Sequence, residues 1–235
     1  MKVLALETST EYCSVALWQD GIVLEHCERV GQKHSELLMP MLDAVLREAG
    51  CGIQDMDGIA YGSGPGSFTG VRIACGVTQG LAFGASLPVA GICTLLALAE
   101  ASGQQRVIAA LDARMGEIYC AVYEKRGNVW STVCEPCLCK PEDAPVVPGT
   151  GWFGVGSGFA EFGTVLHSRY SVQLSGVNTA AVPQAAAIAS LGAAQFSVGR
   201  GMDAAAALPF YLRDKVALKT AEREQLAAEK LLLSQ

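Results

Sequence analysis

The chain has 235 residues, 51% of them hydrophobic and 17% charged, which excludes a disordered chain and allows one large domain or two small ones around a substantial core. A formal net charge of -6 argues against a dominant polyphosphate partner, because affinity for nucleic acid comes largely from Lys and Arg neutralising phosphates. Contact with RNA is therefore expected only where another subunit shares it. The nine cysteines are odd in number and scattered, and Glu7 interrupts the only apolar run near the N-terminus, so a reducing cytoplasm without a signal peptide is expected. Cys134, Cys137 and Cys139 in "CEPCLC" suggest zinc, but no second Cys or His pair follows at finger spacing, so partly buried thiols on and after a strand are expected. Residues 73 to 99 carry no charge and are long enough to span a bilayer, yet Gln79, repeated glycines and Pro88 break the run into helix, strand and helix, which predicts buried core and no membrane partner.

The chain opens with "VLALET", "CSVALWQ" and, after an Asp-Gly turn, "IVLEHCER", three short apolar or alternating runs that predict strands joined tightly. In "HSELLMPMLDAVLREAG", residues Leu37, Leu38, Met41, Leu42, Val45, Leu46 and Ala49 recur at helical spacing, predicting a helix over 36 to 49 that ends at Gly50. Pro40 is expected near its first turn or at a kink. A strand at "GIAYGS", a helix over 67 to 84, a short strand near Val89 and a helix over 93 to 102 follow.

The second half repeats this order: "VIAALDAR", "EIYCAVYEK", an Arg-Gly turn and "NVWSTVC", then "GWFGVGSG" as strand and turn, "FAEFGTVLHSR" as one short helix, "YSVQLSG" as strand and "PQAAAIASLGAAQFS" as helix. Two copies of a β-β-β-α-β-α unit imply an internal duplication, with an N-terminal lobe over 1 to 103 and a C-terminal lobe over 104 to 235. The expected class is therefore α/β. The duplicated unit resembles the actin, hexokinase and Hsp70 group, an actin-like ATPase (RNase H-like) fold. That likeness implies that the acidic end of each first strand faces a nucleotide between the lobes. Glu7 with Thr8, Ser9 and Thr10 occupies this place in the first copy and Asp112 in the second; these residues either serve phosphate chemistry or cap strand ends, and capping is the favoured role for Thr8, Ser9 and Thr10.

The stretch "GSGPGSFTGVRIACG" invites a phosphate-cradle reading. It lacks the lysine of a Walker loop, and Gly64, Gly66 and Gly70 miss the spacing of a dinucleotide fingerprint. What remains is a helix start, with Ser67 and Thr69 as possible caps, Arg72 one turn in, and free amides that either bind an anion or only begin the helix. Along the helix, Gly76, Gly80 and Gly84 recur every four residues, with Ala74, Ala82 and Ala85 nearby. Each interior glycine costs about 1 kcal/mol of helix propensity against alanine, so close approach of another backbone is expected there. That backbone is either a neighbour in the same domain or a helix of another chain, with the helix over 36 to 49 as the other half of the surface.

"VLALETST", "HSELLMPMLDAVL", "GIAYGSGPGSFTGVRIACGVTQGLAFG" and "LPFYLRDKVA" resemble the bacterial TsaB family, also called YeaZ, over nearly the whole chain. Glu7 stands where that family commonly has aspartate. The resemblance implies a non-catalytic scaffold in the synthesis of threonylcarbamoyladenosine on tRNA, paired with a TsaD-like catalytic subunit and joined by a TsaE-like ATPase. It further implies homodimers, only indirect contact with tRNA, and ATP used only through the assembled complex, with no firmly bound cofactor. By carry-over, the partner-binding residues are His34, Leu37, Leu38, Met41, Leu42 and Val45 on the first helix and Phe68, Arg72, Ala74, Gly76, Gly80, Phe83 and Gly84 on the second. Contact with a nucleotide or anion would fall to Glu7, Thr8, Ser9, Gly64, Gly66, Ser67 and Thr69. The catalytic paralogue holds metal with two histidines four apart on its first long helix; here His34 is followed at that distance by Leu38, so no metal ligands and no catalytic residues are expected. His26 and His167 lie in different repeats. The alternative is a stand-alone enzyme. A phosphotransferase would use Glu7, Asp112 and the loop from Gly62 to Gly70, and a partner-directed peptidase would draw on Ser9, Ser35, Ser63 or Ser67, without a recognisable triad. The stretch "RDKVALKTAEREQLAAEKLLLSQ" reads as an exposed helix or frayed tail.

Overall fold

The computed structural model describes residues 1–213. Its first three strands, β1 (Lys2–Glu7), β2 (Tyr12–Gln19) and β3 (Ile22–Arg29), pair antiparallel in sequence. Asp20 and Gly21 both have positive φ (50° and 92°), the tight turn that matches strand twist between β2 and β3. Then come α1 (His34–Glu48), β4 (Gly58–Gly64), α2 (Phe68–Ala85), β5 (Val89–Cys93) and α3 (Thr94–Ala101). Strands β4 and β5 join in parallel, giving the order β3-β2-β1-β4-β5. The second half supplies β6 (Arg106–Arg114), β7 (Glu117–Arg126), β8 (Val129–Cys139), β9 (Trp152–Val155), α4 (Ser157–Glu161), α5 (Gly163–Arg169), β10 (Leu174–Asn178) and α6 (Ala185–Ser197). Its sheet runs β10-β9-β6-β7-β8, the same order with the same mixture of directions. The expected duplication is thus present in the sheets.

Three local readings are corrected. The helix expected over 36 to 49 starts earlier, at His34, so Pro40 lies inside it rather than in its first turn. Glu36 and Pro40 are both exposed, so the carbonyl that the proline cannot engage faces water. The single helix expected in "FAEFGTVLHSR" is two, broken at Phe162. Between β8 and β9 the second copy has only a 3-10 turn at Pro141–Asp143, where the first copy has α1.

Each sheet is built from one half of the chain, but the covering helices cross over. Leu95, Leu98 and Ala99 of α3 pack with Val107, Ala109, Leu111 and Ala121 of the second sheet. Glu100 accepts from Lys125 Nζ at 2.7 Å and from Trp130 Nε1, which ties the end of α3 to the same sheet. Conversely α6 packs Ala185, Ile188, Ala189 and Ala193 onto Val3, Ala5, Ala16 and Ala60 of the first sheet. Its alanine-rich sequence permits this closeness: a Cβ on Gly192 would lie 2.5 Å from that of Ala60. The amides that begin α6 are satisfied across the boundary as well, since Ala185 N–H donates to Ser14 Oγ and Ala186 N–H to Glu25 Oε1, both at 2.9 Å. The segment expected as a C-terminal helix or tail, beyond residue 213, lies outside the described residues.

The turn after β1 is pressed against the start of α2. Ser67 N–H donates to the Ser9 carbonyl at 2.7 Å, and Thr8 Oγ1 donates to the Gly70 carbonyl at 2.7 Å. Ser67 caps α2 by accepting from Gly70 N–H. A Cβ on Gly70 would overlap the Thr8 carbonyl oxygen, one on Gly66 would lie 2.5 Å from the Ser9 carbonyl oxygen, and one on Gly62 would overlap the Glu7 carboxylate. These glycines therefore admit the chain's own backbone and carboxylate. Glu7 is 1% exposed; its Oε1 accepts from Ser9 N–H, while Oε2 and the Ser9 hydroxyl have no hydrogen-bond partner among the described residues. Burial pushes the Glu7 carboxyl above the ordinary carboxylate range, against the lowering effect of its bonds to Ser9.

Two outcomes follow from this junction. Gly70→Ala forces a backbone carbonyl to move and should cost about 3 kcal/mol, lowering the thermal midpoint by roughly 6–12 °C; an unchanged midpoint would contradict the packing. Because folded Glu7 holds its proton more tightly than the unfolded chain does, it should cost stability progressively as pH rises from the unfolded carboxylate range through its folded pKa. Glu7→Gln should therefore raise the midpoint at neutral pH and flatten its fall as pH rises above the ordinary carboxylate range. Parallel curves for the two proteins would contradict the buried acid.

Candidate functional site

Two surfaces carry the residues singled out from the sequence. The first is a cleft of about 680 Å³ between the sheets, walled by Ser9, Thr10 and Pro65 to Phe68 on one side and by Leu111 to Met115, Tyr119 and Ser157 on the other. The acidic residues expected to face a common ligand have different fates. Asp112 lines the cleft, where Oδ1 accepts from Arg114 N–H at 2.8 Å and Oδ2 pairs with Arg114 Nη1 at 2.9 Å. Glu7 is sealed behind Gly62 and is not among the residues lining that space. Of the glycine-loop candidates, Gly66 and Ser67 reach the cleft wall, whereas Gly64 is buried beneath the Phe210 carbonyl and Thr8 beneath α2. Thr69 is exposed on α2. The amide of Ser67 already donates to Ser9, so the helix start does not offer the full set of free donors that an anion cradle needs.

A strap over residues 208–213 crosses the cleft, and sequence periodicity gives no sign of it. Tyr61 Oη donates to the Leu208 carbonyl at 3.1 Å and Phe210 N–H to the Ser63 carbonyl at 2.7 Å, both in the first lobe. Arg213 then reaches the second lobe, pairing with Glu117 Oε2 at 2.8 Å and donating to the Ala113 carbonyl at 3.2 Å. Between them, Tyr211 lies against Phe68 with ring centroids 5.8 Å apart. The Arg72 guanidinium sits 3.3 Å from the Phe68 centroid and 5.3 Å from that of Tyr211.

The second surface is the face shared by α1 and α2. His34, Leu38, Met41, Leu42 and Val45, expected to meet a partner, are buried in the chain's own core, where the four apolar residues pack with Leu4, Leu6, Val15 and Leu17. They hold α1 in place; Leu37 is half-buried at the margin, and the outward face carries Glu36, Met39, Pro40, Asp43 and Arg47. On α2, Ala74 is likewise buried, while Phe68, Arg72, Gly76, Gly80, Phe83 and Gly84 are exposed, Phe83 at 83%. A Cβ added at Gly76, Gly80 or Gly84 would have nothing within 4 Å among the described residues. No element of the described lobes makes the close approach that these glycines suggest.

His34 Nε2 bonds the Tyr12 carbonyl at 3.1 Å, His26 pairs with Glu48 at 2.9 Å and His167 bonds the Gly163 carbonyl at 2.7 Å. His34 is thus a core residue, neither exposed nor the cap of α1, whose N-cap is Lys33. Among the described residues no three His, Cys, Asp or Glu side chains are placed to hold a metal ion, and no helix is long and apolar enough to cross a membrane. Of the candidate serines, Ser63 is buried and donates to the Ile92 carbonyl, Ser9 is buried, Ser67 is the α2 cap and Ser35 is exposed on α1.

Residues 16–234 match the profile of a family described as TsaD, tRNA N6-adenosine threonylcarbamoyltransferase. The chain is 38% identical to the tRNA threonylcarbamoyladenosine biosynthesis protein TsaB of Escherichia coli, over 93% of this chain and 97% of that one. It is 36% identical to the protein of the same name from Haemophilus influenzae, over 93% and 96%. Among solved structures, YeaZ from Pseudomonas aeruginosa superposes with a TM-score of 0.83 at 38% identity, covering 90% of this chain and 99% of that one. Two five-stranded sheets in duplicated order, a turn locked onto α2 by glycines and this likeness along almost the full chain agree: it belongs to the TsaB (YeaZ) family, with its actin-like fold.

Proposed function

We propose that the chain works in threonylcarbamoyladenosine synthesis on tRNA as a non-catalytic scaffold in the cytoplasm, docking a TsaD-like catalytic subunit through the exposed face of α2 and the outward margin of α1. The names of its relatives support the pathway. The role of scaffold rests on one observation above all: Gly76, Gly80 and Gly84 form a stripe open to approach, flanked by Phe83, which leaves room for a second helix to come within backbone distance. A TsaE-like ATPase joins the pair, the chain pairs with itself through the same face in the partner's absence, tRNA is reached only indirectly, and ATP acts only in the assembled complex. Leu38 four residues after His34, and the bond from His34 to Tyr12, support a member without the metal chemistry of a catalytic subunit.

The purified chain should turn over nothing alone, yet restore tRNA modification when mixed with its partner proteins, tRNA, ATP, bicarbonate and threonine; failure of that reconstitution would sink the scaffold reading. Calorimetry of the isolated chain with Mg-ATP should give no tight, stoichiometric binding, and a clear stoichiometric isotherm would favour a stand-alone phosphotransferase instead. For the docking face, truncating Leu38 is uninformative because the core alone would lose about 2–5 kcal/mol. Gly80→Leu is the cleaner variant. Its side chain enters open space and improves helix propensity by roughly 0.8 kcal/mol, so the monomer should fold at least as well, while pairing should weaken by about 30-fold or more. Unchanged association by light scattering would reject the assignment of the face.

A further inference from the structure

A third element borders α2 besides the sheet and α1. Helix α1 packs over β2 and β3, and α2 over β1 and β4. On the far side of α2, Met202 exchanges two backbone hydrogen bonds of 2.9 Å with Val89 of the edge strand β5. A 3-10 turn at Ala204–Ala206 follows, and Ala204 and Ala207 pack with Val71, Ala74, Cys75 and Ala82 of α2. The chain then runs antiparallel to the helix, since Gln79 Nε2 donates to the Ala205 carbonyl at 3.5 Å while Tyr211 lies beside Phe68 and Arg72. Residues 202–211, contributed by the second half of the chain, therefore flank α2 opposite α1, and the exposed glycine face lies between the two flanks.

The two flanks differ in chemistry. Helix α1 turns Glu36, Asp43 and Arg47 outward. From Met202 to Leu212 the only charged residue is Asp203, whose carboxylate already accepts from Ala205 N–H at 2.8 Å. Leu208 turns its carbonyl inward to Tyr61 and its side chain outward, 64% exposed, and Met202 is exposed as well. A flank of this kind is also needed for area: seven residues of α2 are exposed and three of them are glycine, whereas a specific interface takes roughly 20–30 residues a side. We propose that residues 202–211 are the apolar half of the surface that receives the TsaD-like subunit, with Leu208 as its anchor and the charged margin of α1 as its rim; this rests on the docking reading of α2 given above. A partner segment laid along the glycines is then held between a polar ridge and an apolar one. In a two-fold pair of this chain, residues 202–211 would meet either their own copy, which sets the charged α1 margins against each other, or the other copy's charged margin. A different subunit is bound by neither condition, so the strip fits it better than it fits a second copy.

By calorimetry, Leu208→Asp should lower the affinity of the full chain for the purified TsaD-like subunit about 30-fold, and its self-association by less than about threefold. Leu208→Ala removes apolar surface without adding charge and should lower the affinity for that subunit about fivefold, so the result does not hang on the aspartate alone. Asp43→Ala, on the rim, should stay within about threefold of the unsubstituted chain. Because Leu208 is exposed and meets Tyr61 through its backbone, both of its variants should keep the thermal midpoint within about 2 °C. Gly80→Leu separates this inference from the docking reading itself. If Gly80→Leu weakens binding while both Leu208 variants bind as the unsubstituted chain does, the strip is overturned and the α2 face stands. If all three bind unchanged, both readings fall. A loss of self-association in Leu208→Asp as large as its loss of partner binding would assign the strip to a second copy and overturn the proposal.

Discussion

Much of this structure depends on one close approach, that of the backbone at Thr8 and Ser9 to the first turn of α2. Two hydrogen bonds cross the gap, and the absence of side chains at positions 66 and 70 lets it close. The consequence runs outward in both directions. Toward the sheet, the contact pins the end of β1, the central strand of the first lobe, and turns Glu7 inward behind Gly62. Toward the surface, it fixes the rotation of α2 about its axis, so that Val71, Ala74, Cys75 and Thr78 are buried and Gly76, Gly80 and Gly84 point away from the lobe. Glycines in one continuous stretch thus serve opposite ends. The earlier ones admit the chain's own backbone, and the later ones leave the outer face bare.

The same contact alters what a glycine-rich helix start can do. Such a start attracts anions because its first amides lack partners and add to the helix dipole. Here a carbonyl of the chain occupies one amide and a serine hydroxyl another, so part of that capacity is spent internally. Asp112 across the cleft is likewise engaged, by Arg114, and Arg213 bridges to Glu117 nearby. The charges around the cleft are largely paired with one another, which leaves less electrostatic drive for a free polyphosphate than the glycine loop suggests at first reading.

The sequence made the sheets legible and the tertiary assignments much less so. Strands such as Val3–Leu6 and Val107–Leu111 are apolar runs bounded by turn residues, and the repeated order of elements discloses the duplication. Periodicity also locates α1, but it marks an apolar stripe without stating what covers it. Leu38, Met41, Leu42 and Val45 satisfy the pattern of a docking face and of a core face equally well, and the core takes them. Glu7 reads as an exposed functional acid because its burial follows from a glycine at position 62, remote in sequence. The strap at residues 208–213 is held largely through backbone groups of Leu208 and Phe210, an interaction that leaves no side-chain period to detect. The thiols of "CEPCLC" are expected to be partly buried on and after a strand, and all three lie half-buried on β8, but the bulge between Cys134 and Cys137 belongs to the strand register alone.

The crosswise covering by α3 and α6 has a consequence for how the chain can be made. Synthesis proceeds from the N-terminus, and every strand of the first sheet is complete by residue 93, yet the helix that closes one face of that sheet ends at Ser197. Val3, Ala5, Ala16 and Ala60 therefore wait uncovered through the emergence of about a hundred residues, and the donors from Ala185 and Ala186 reach Ser14 and Glu25 only afterwards. The duplication divides the chain by ancestry but not by folding. Each half closes one face of its sheet with its own residues, but the other face of each sheet is covered by a helix from the opposite half, so the two are obliged to finish maturing as one unit.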